Sequence, residues 1–294
     1  MKIDGVFSGG GVKGFALIGA YQVMEEKGFS FQRVAGTSAG AIIAGFSAAG
    51  FTGSEMQKMM EETNLRDFMD TRKTLLPLPL AKWLLLYWRL GIYRGLQLEE
   101  WLEKKLASKG IFTFLDLPEK SLQVVASDLT NGRMLVLPDD LERYGIPKET
   151  FPVARAIRMS CGIPYFFEPV KLRSVDGVSV IVDGGVLSNF PMWLFDQGKT
   201  KLQRPVVGVK LSHYFGERPK TKIQNGIQLF EALFSTMRDA HDSRYISRKQ
   251  EKNIIFIPTT GFESIEFDLT EKKKEELIAL GRKKTLEFLQ TWTF

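Results

Sequence analysis

The stretch Gly36-Thr37-Ser38-Ala39-Gly40 constrains this chain more than any other. Apolar Val34-Ala35 leads into it, and an Ala/Ile/Phe-rich stretch from Ala39 to Ala49 leads out. That pattern predicts a strand, a sharp turn and a helix, with a serine on the turn. A serine held there presents its Oγ above the sheet edge. Gly36 and Gly40 remove Cβ atoms where strand and helix come closest. The helix starting at Ala39 aims free N–H groups and a partial positive charge at whatever sits over Ser38. Such a turn suits attack on an ester carbonyl. The same five residues also fit an ordinary βα turn with a helix-capping serine, so the rest of the chain has to decide.

At 294 residues the chain has room for one large domain or two ordinary ones, and 44% hydrophobic content supplies a core. The lone cysteine, Cys161, excludes an internal disulfide and points to a reducing compartment. It reads as a small buried apolar residue. The N-terminus lacks the apolar region of a signal peptide, and no run reaches the length of a membrane span. The expectation is a cytoplasmic protein, peripheral to a membrane at most. A net charge of +6 allows attraction to an anionic surface. No recognisable nucleic-acid module accompanies it, so no nucleic-acid partner is expected.

Strand and helix patterns alternate from end to end. Ile3–Phe7 reads as a strand running into Ser8-Gly9-Gly10-Gly11-Val12-Lys13-Gly14, followed by a helix that stops near Gly28. Consecutive glycines between strand and helix let backbone N–H groups turn towards an anion. Gly9-x-Gly11-x-x-Gly14 also fits a dinucleotide fingerprint. A G-K-[ST] sequence is absent, and the second strand ends in the serine turn rather than in a ribose-binding acid. Further strands are predicted at 31–35, 122–126, 134–137, 178–182, 206–211 and 254–257. Helices are predicted at 39–49, 54–63, 96–108, 152–159, 224–248 and 270–290, the last with Lys272-Lys273-Lys274 on a solvated face. On the 224–248 helix, Ile227, Phe230, Phe234, Met237, His241 and Tyr245 predict one buried stripe. The alternation predicts a single α/β domain over 1–294 with a largely parallel sheet.

A serine nucleophile needs a base. His241 lies on the apolar stripe, and His213 follows a strand near Lys210. Either could formally complete a triad with Asp183, but the serine comes on the second strand, too early for that arrangement. Asp183 ends the strand Val178–Val182, before Gly184-Gly185. In open α/β sheets ligands bind beyond the carboxyl ends of strands, which places Asp183 for chemistry. A carboxylate beside a serine hydroxyl can act as base directly. An Asx turn at a strand end is the plainer reading of Asp-Gly.

Taken in order, the Gly9–Gly14 loop, the serine turn, the Ser160-Cys161-Gly162-Ile163-Pro164 loop and Asp183-Gly184-Gly185 resemble the patatin-like phospholipase family of bacterial type. The resemblance covers roughly Ile3 to Pro191. It implies a three-layer α/β/α sandwich with a mainly parallel central sheet. It implies a Ser38–Asp183 catalytic dyad without histidine, and an oxyanion hole drawn from Gly9, Gly10 and Gly11, with Gly10 and Gly11 as backbone donors. Lys13, Gly14, Gly36, Gly40, Gly184 and Gly185 support the motifs. The family hydrolyses acyl esters of phospholipids, lysophospholipids or neutral lipids, and the activity implied here is hydrolysis of fatty-acyl esters of phospholipids or lysophospholipids, with no cofactor and no metal. Two departures are Ser8, where many relatives carry Asp, and Cys161-Gly162, where alanine or serine is more usual. Two readings from other classes stand beside this one: a nucleotide-binding enzyme using Gly9–Gly14, and a non-catalytic membrane adaptor.

Residues 71–95 differ from the rest. Leu75 to Trp88 is the most apolar stretch, and Arg72, Lys73, Lys82, Arg89 and Arg94 surround it without an acid. Trp83, Tyr87 and Trp88 beside basic flanks suit an interfacial segment too broken to span a bilayer. A buried core helix is the alternative.

Overall fold

The computed structural model describes residues 1–72, 86–195, 204–212, 223–224, 226–245, 248–264 and 266–293. Its elements in chain order are β1 (Lys2–Phe7), α1 (Phe15–Glu26), β2 (Ser30–Thr37), α2 (Ala39–Ala48), α3 (Gly53–Glu61), β3 (Gly91–Tyr93), α4 (Leu96–Ala107), β4 (Leu122–Asp128) and β5 (Arg133–Leu137). Then come α5 (Val153–Ser160), β6 (Tyr165–Phe167), β7 (Val170–Ser174), β8 (Gly177–Asp183), β9 (Val206–Lys210), α6 (Gly226–Tyr245), β10 (Ile254–Phe256) and α7 (Glu271–Thr291).

One mixed sheet organises them, in the order β10-β9-β1-β2-β4-β8-β7, with β5 also on β4. The five strands from β10 to β4 run parallel, while β5, β7 and β8 run antiparallel to their neighbours. The parallel strands alternate between two apolar layers. Phe7, Val34, Val124, Val207 and Ile255 face one; Val6, Ala35, Val125, Val206 and Ile254 face the other. Burial on both faces is what a central parallel sheet requires, and it explains why β1 and β9 read as near-continuous apolar runs. On the first face α1 and α7 pack so closely that a Cβ on Gly19 would enter the Ile278 carbonyl, and one on Gly281 the Ala16 carbonyl.

Three expectations need correction. Lys274 is buried rather than solvated: its ammonium pairs with Glu271 at 2.8 Å and lies over the Phe15 ring. Its long stem follows the apolar surface of α1 while the charge reaches out. The stripe on α6 is not uniformly buried, since Met237 is exposed and Phe234 and His241 only half-buried; the side chains at 227, 230 and 245 lie outside those described. Strands β3, β6 and β7 are additions to the predicted set. The first two are three residues each, and β7 carries Lys171 and Arg173 outward, which masks its apolar content.

Candidate active site

The register of β4 brings the two motifs together. β5 pairs with residues 124–128 of β4, so it occupies one edge. β2 pairs with 122–125 and β8 with 126–128, and both overlap β5, so both lie on the other edge. They therefore meet head-on. Thr37 stands opposite Val125 and Asp183 opposite Ala126. Ser38, one residue beyond Thr37, emerges where β8 ends. This corrects the reasoning that placed Asp183 from sequence: β8 is antiparallel, and Asp183 reaches the site by ending against the tip of β2.

Ser38 has φ 53°, ψ −125°, a left-handed conformation for a side chain with a Cβ, as a nucleophile elbow demands. The surroundings hold it there. Its N–H donates to Ser160 Oγ at 2.8 Å, and Ser160 Oγ donates to the Val125 carbonyl at 2.6 Å. Thr37 Oγ1 donates to the Ser188 carbonyl at 2.9 Å, tying the turn to the chain beyond Asp183. The close approach read into the glycines is present: a Cβ on Gly36 would strike the Gly40 carbonyl, and one on Gly40 the Phe7 carbonyl.

Asp183 is 1% exposed and Ser38 6%. Asp183 Oδ1 accepts the Gly185 N–H at 2.7 Å. Its Oδ2 is buried with no donor at full hydrogen-bonding geometry among the described residues. Burial pushes the carboxyl up from 3.8 to about 6, against the pull of the Ser38 hydroxyl, the Gly185 N–H and the positive charge of Arg238. A carboxylate with that affinity can take a hydroxyl proton near neutral pH. No histidine is among the groups that shift it. His241 sits on α6, and His213 lies outside the described residues.

The glycine loop divides into two roles. The Gly9 N–H donates to the Asn189 carbonyl at 3.0 Å and so fastens the loop to the segment after Asp183. Gly10 and Gly11 have no acceptor for their N–H groups among the described residues. Gly11 has φ 59°, and any Cβ there would enter the Ser264 carbonyl. Half-buried Lys13 closes the turn by donating its N–H to the Gly10 carbonyl at 3.3 Å, and Gly14 caps α1 against Ala39. Ser8 Oγ accepts the Leu211 N–H at 2.9 Å, anchoring the loop to the end of β9. Gly184 lies against the Val125 carbonyl and Thr37, where β2 and β8 meet.

A cavity of about 650 Å³, counting the part open to solvent, begins at Ser38 and Gly11. Phe15 and Ile18 of α1, Ile42 and Ile43 of α2, Met60 of α3, Phe68, Leu98 of α4, Ile163, Phe167 and Phe267 line it, and no charged side chain among the described residues does. Cys161 belongs to this wall, buried and with its thiol pushed far above its ordinary range by desolvation. Such a chamber suits an alkyl chain. Among the described residues no group of three or more His, Cys, Asp or Glu could hold a metal ion.

Arg158 is a structural centre that no sequence pattern marks. It is buried, and its guanidinium donates to the carbonyls of Arg94, Gly95 and Glu168. Arg72 makes a two-point ion pair with Glu168 at 2.7 and 2.9 Å. These contacts pin both flanks of residues 73–85 beside β6, whose Phe167 lines the cavity. Tyr87 and Trp88 stand 72% exposed there. Trp83 lies outside the described residues. No helix among the described residues is long and apolar enough to cross a membrane.

Comparison with known proteins places these features. The patatin-like phospholipase family model matches residues 5–196. The chain is 55% identical to YqhO of Bacillus subtilis (strain 168) over 294 residues, covering 100% of both. It is 25% identical over 193 residues to triacylglycerol lipase ptl3 of Schizosaccharomyces pombe, covering 64% of this chain and 38% of that one. Among solved structures, VipD from Legionella pneumophila superposes with TM-score 0.58 at 18% identity, over 99% of this chain and 67% of that one. The type III effector ExoU from Pseudomonas aeruginosa superposes with TM-score 0.52 at 16% identity, over 98% and 53%. At such identities the likeness to both structures concerns the fold.

Proposed function

The chain belongs to the patatin-like phospholipase family of carboxylic ester hydrolases, and from that premise we propose that it cleaves fatty-acyl esters of phospholipids or lysophospholipids by a Ser38–Asp183 dyad. One observation carries the reading: a serine on a strained elbow, level with a buried carboxylate of raised proton affinity, stands at the head of an apolar chamber.

The acyl chain enters the chamber and its carbonyl carbon comes to rest over Ser38. Asp183 takes the Ser38 hydroxyl proton as Oγ bonds to that carbon. The carbonyl π electrons move onto oxygen, and the oxyanion accepts the Gly10 and Gly11 N–H groups. Loss of one such donor costs about 3–4 kcal/mol of transition-state stabilisation. The tetrahedral adduct collapses, the ester C–O bond breaks, and the leaving alcohol takes the proton from Asp183. Water then gives its proton to Asp183 and attacks the acyl-enzyme. A second collapse returns the proton to Ser38 and frees the fatty acid.

The test compares wild type with Ser38→Ala in a lipidomic turnover assay, alongside labelling by a fluorophosphonate. Label on Ser38 alone, and loss of turnover in the variant, are the expected results. Label elsewhere with an active variant would sink the assignment. Exposed Tyr87 and Trp88, with the basic residues around them, favour a lip that meets an anionic bilayer at the chamber mouth.

A further inference from the structure

One cation beside the dyad has no place in the chemistry just described. Arg238, on α6, is half-buried. Its Nε is shut off from solvent and has no hydrogen-bond partner among the described residues. No carboxylate among the described residues makes an ion pair with it. A buried guanidinium donor left unmatched is costly, so its position calls for an explanation. The guanidinium carbon lies 5.2 Å from the centre of the Phe234 ring, which supports the group from one side. A Cβ built on Gly185 would lie 3.3 Å from Arg238 Cδ and 3.0 Å from Asp183 Oδ1. The bare glycine is therefore what lets the arginine stem lie against the Asp183 turn. Its charge is felt there, because it pulls the Asp183 carboxyl down.

The chamber that begins at Ser38 has no charged lining residue among the described residues, and Arg238 does not line it. An ester held over Ser38 thus has an apolar environment on its acyl side and a guanidinium on the side of the Asp183 turn. We propose that Arg238 is the headgroup-recognition residue of this site, donating to the phosphate oxygens of a glycerophospholipid and selecting it over an uncharged glyceride. The proposal rests on the ester-hydrolase reading. In a glycerophospholipid the phosphate is only a few bonds from the scissile ester, so one molecule can reach both groups. Guanidinium suits phosphate because its planar fork donates two N–H groups to two oxygens.

The experiment measures binding without turnover, in the full chain carrying Ser38→Ala. Short-chain monomeric phosphatidylcholine and the diacylglycerol of matched acyl length are titrated by calorimetry. Arg238→Met and Arg238→Lys are then added to that background, with thermal denaturation to verify folding. The phospholipid should bind at least about tenfold more tightly than the diacylglycerol. Arg238→Met should erase that preference, and Arg238→Lys should restore part of it. Inorganic phosphate alone should bind much more weakly than the phospholipid; equal affinity would make this a free-phosphate site and overturn the headgroup assignment. An unchanged preference in a folded Arg238→Met protein would overturn it too. So would equal loss of both ligands, which would mean that Arg238 only steadies the Asp183 turn. If Arg238→Met does not fold, Arg238→Lys decides by the same ratio. Failure of the enzyme reading shows separately, as wild type that turns over neither lipid.

Discussion

Asp183 has two demands on it that pull in opposite directions. As the proposed base it must be ionised, yet its burial favours the protonated form and lifts its pKa to about 6. Two consequences follow at the scale of this residue. First, kcat/KM should fall below a pH of about 6 as the base takes up a proton, with a slope of one on a logarithmic plot. Second, a carboxyl whose pKa is higher folded than the 3.8 of the free group holds its proton more tightly in the folded chain. Its stabilising contribution is full below 3.8 and is lost as pH rises through about 6. Asp183→Asn is uncharged throughout and its side-chain oxygen can still accept the Gly185 N–H. It should abolish turnover and, above pH 6, raise the melting temperature over wild type, by a stabilisation on the order of a few kcal/mol. At low pH the two proteins should melt together. A variant that is inactive and also less stable at pH 8 would show that the ionised carboxylate is favoured by the fold, contrary to its burial.

At the scale of elements, the site is made by what each segment is prevented from doing. β2 stops at Ser38 because the elbow turns the chain into α2, and β8 stops at Asp183 because the same edge of β4 is already taken. That head-on meeting depends on pairings far apart in sequence. Motif spacing therefore pointed to Ser38 and Asp183, while the route that brings them side by side stayed hidden. The glycine loop was legible as an anion cradle from its composition. The diversion of the Gly9 N–H to Asn189 was not, because it depends on a carbonyl 180 positions away in the chain. The chamber is a product of elements as well, with one wall from α1 and α2 and another from α3 and α4. Leu98→Trp adds bulk to it. Turnover of long-chain esters should fall at least about tenfold relative to a butyryl ester, because overpacking an apolar site costs about 1–3 kcal/mol. Equal effects on short and long esters would place the acyl chain elsewhere.

For the molecule as a whole, the parallel core was readable because its strands are short apolar runs between helical periods, and burial on both faces leaves no polar alternation to confuse them. Buried charge was not readable. Arg158 and Lys274 look like surface residues in sequence and owe their burial to carbonyls and a ring supplied by other segments, with Glu271, one helical turn before Lys274, pairing its ammonium. The flanks of the 71–95 segment are a further case. Hydrophobicity alone could not separate a lip facing lipid from a core helix, but Tyr87 and Trp88 stand in solvent beside the strand whose Phe167 lines the chamber. A lipolytic site must draw an acyl chain from a bilayer, and exposed aromatic side chains beside such a site prefer the headgroup region. Exposed Arg89 is next to Tyr87 and Trp88 in sequence, and a basic group close to an anionic surface adds about 1 kcal/mol, screened by salt. Tyr87→Ser with Trp88→Ser should therefore weaken binding to phosphatidylglycerol vesicles and slow hydrolysis of vesicle lipid. Thermal stability should hardly change, since the removed rings make few contacts with the fold. Turnover of a short soluble ester should stay close to wild type, and added salt should narrow the difference in vesicle binding between anionic and zwitterionic lipid. A loss of several degrees in melting temperature, with soluble and vesicle substrates affected alike, would instead mean that these rings serve the packing of the chain, and the lip would have to be sought elsewhere on the surface.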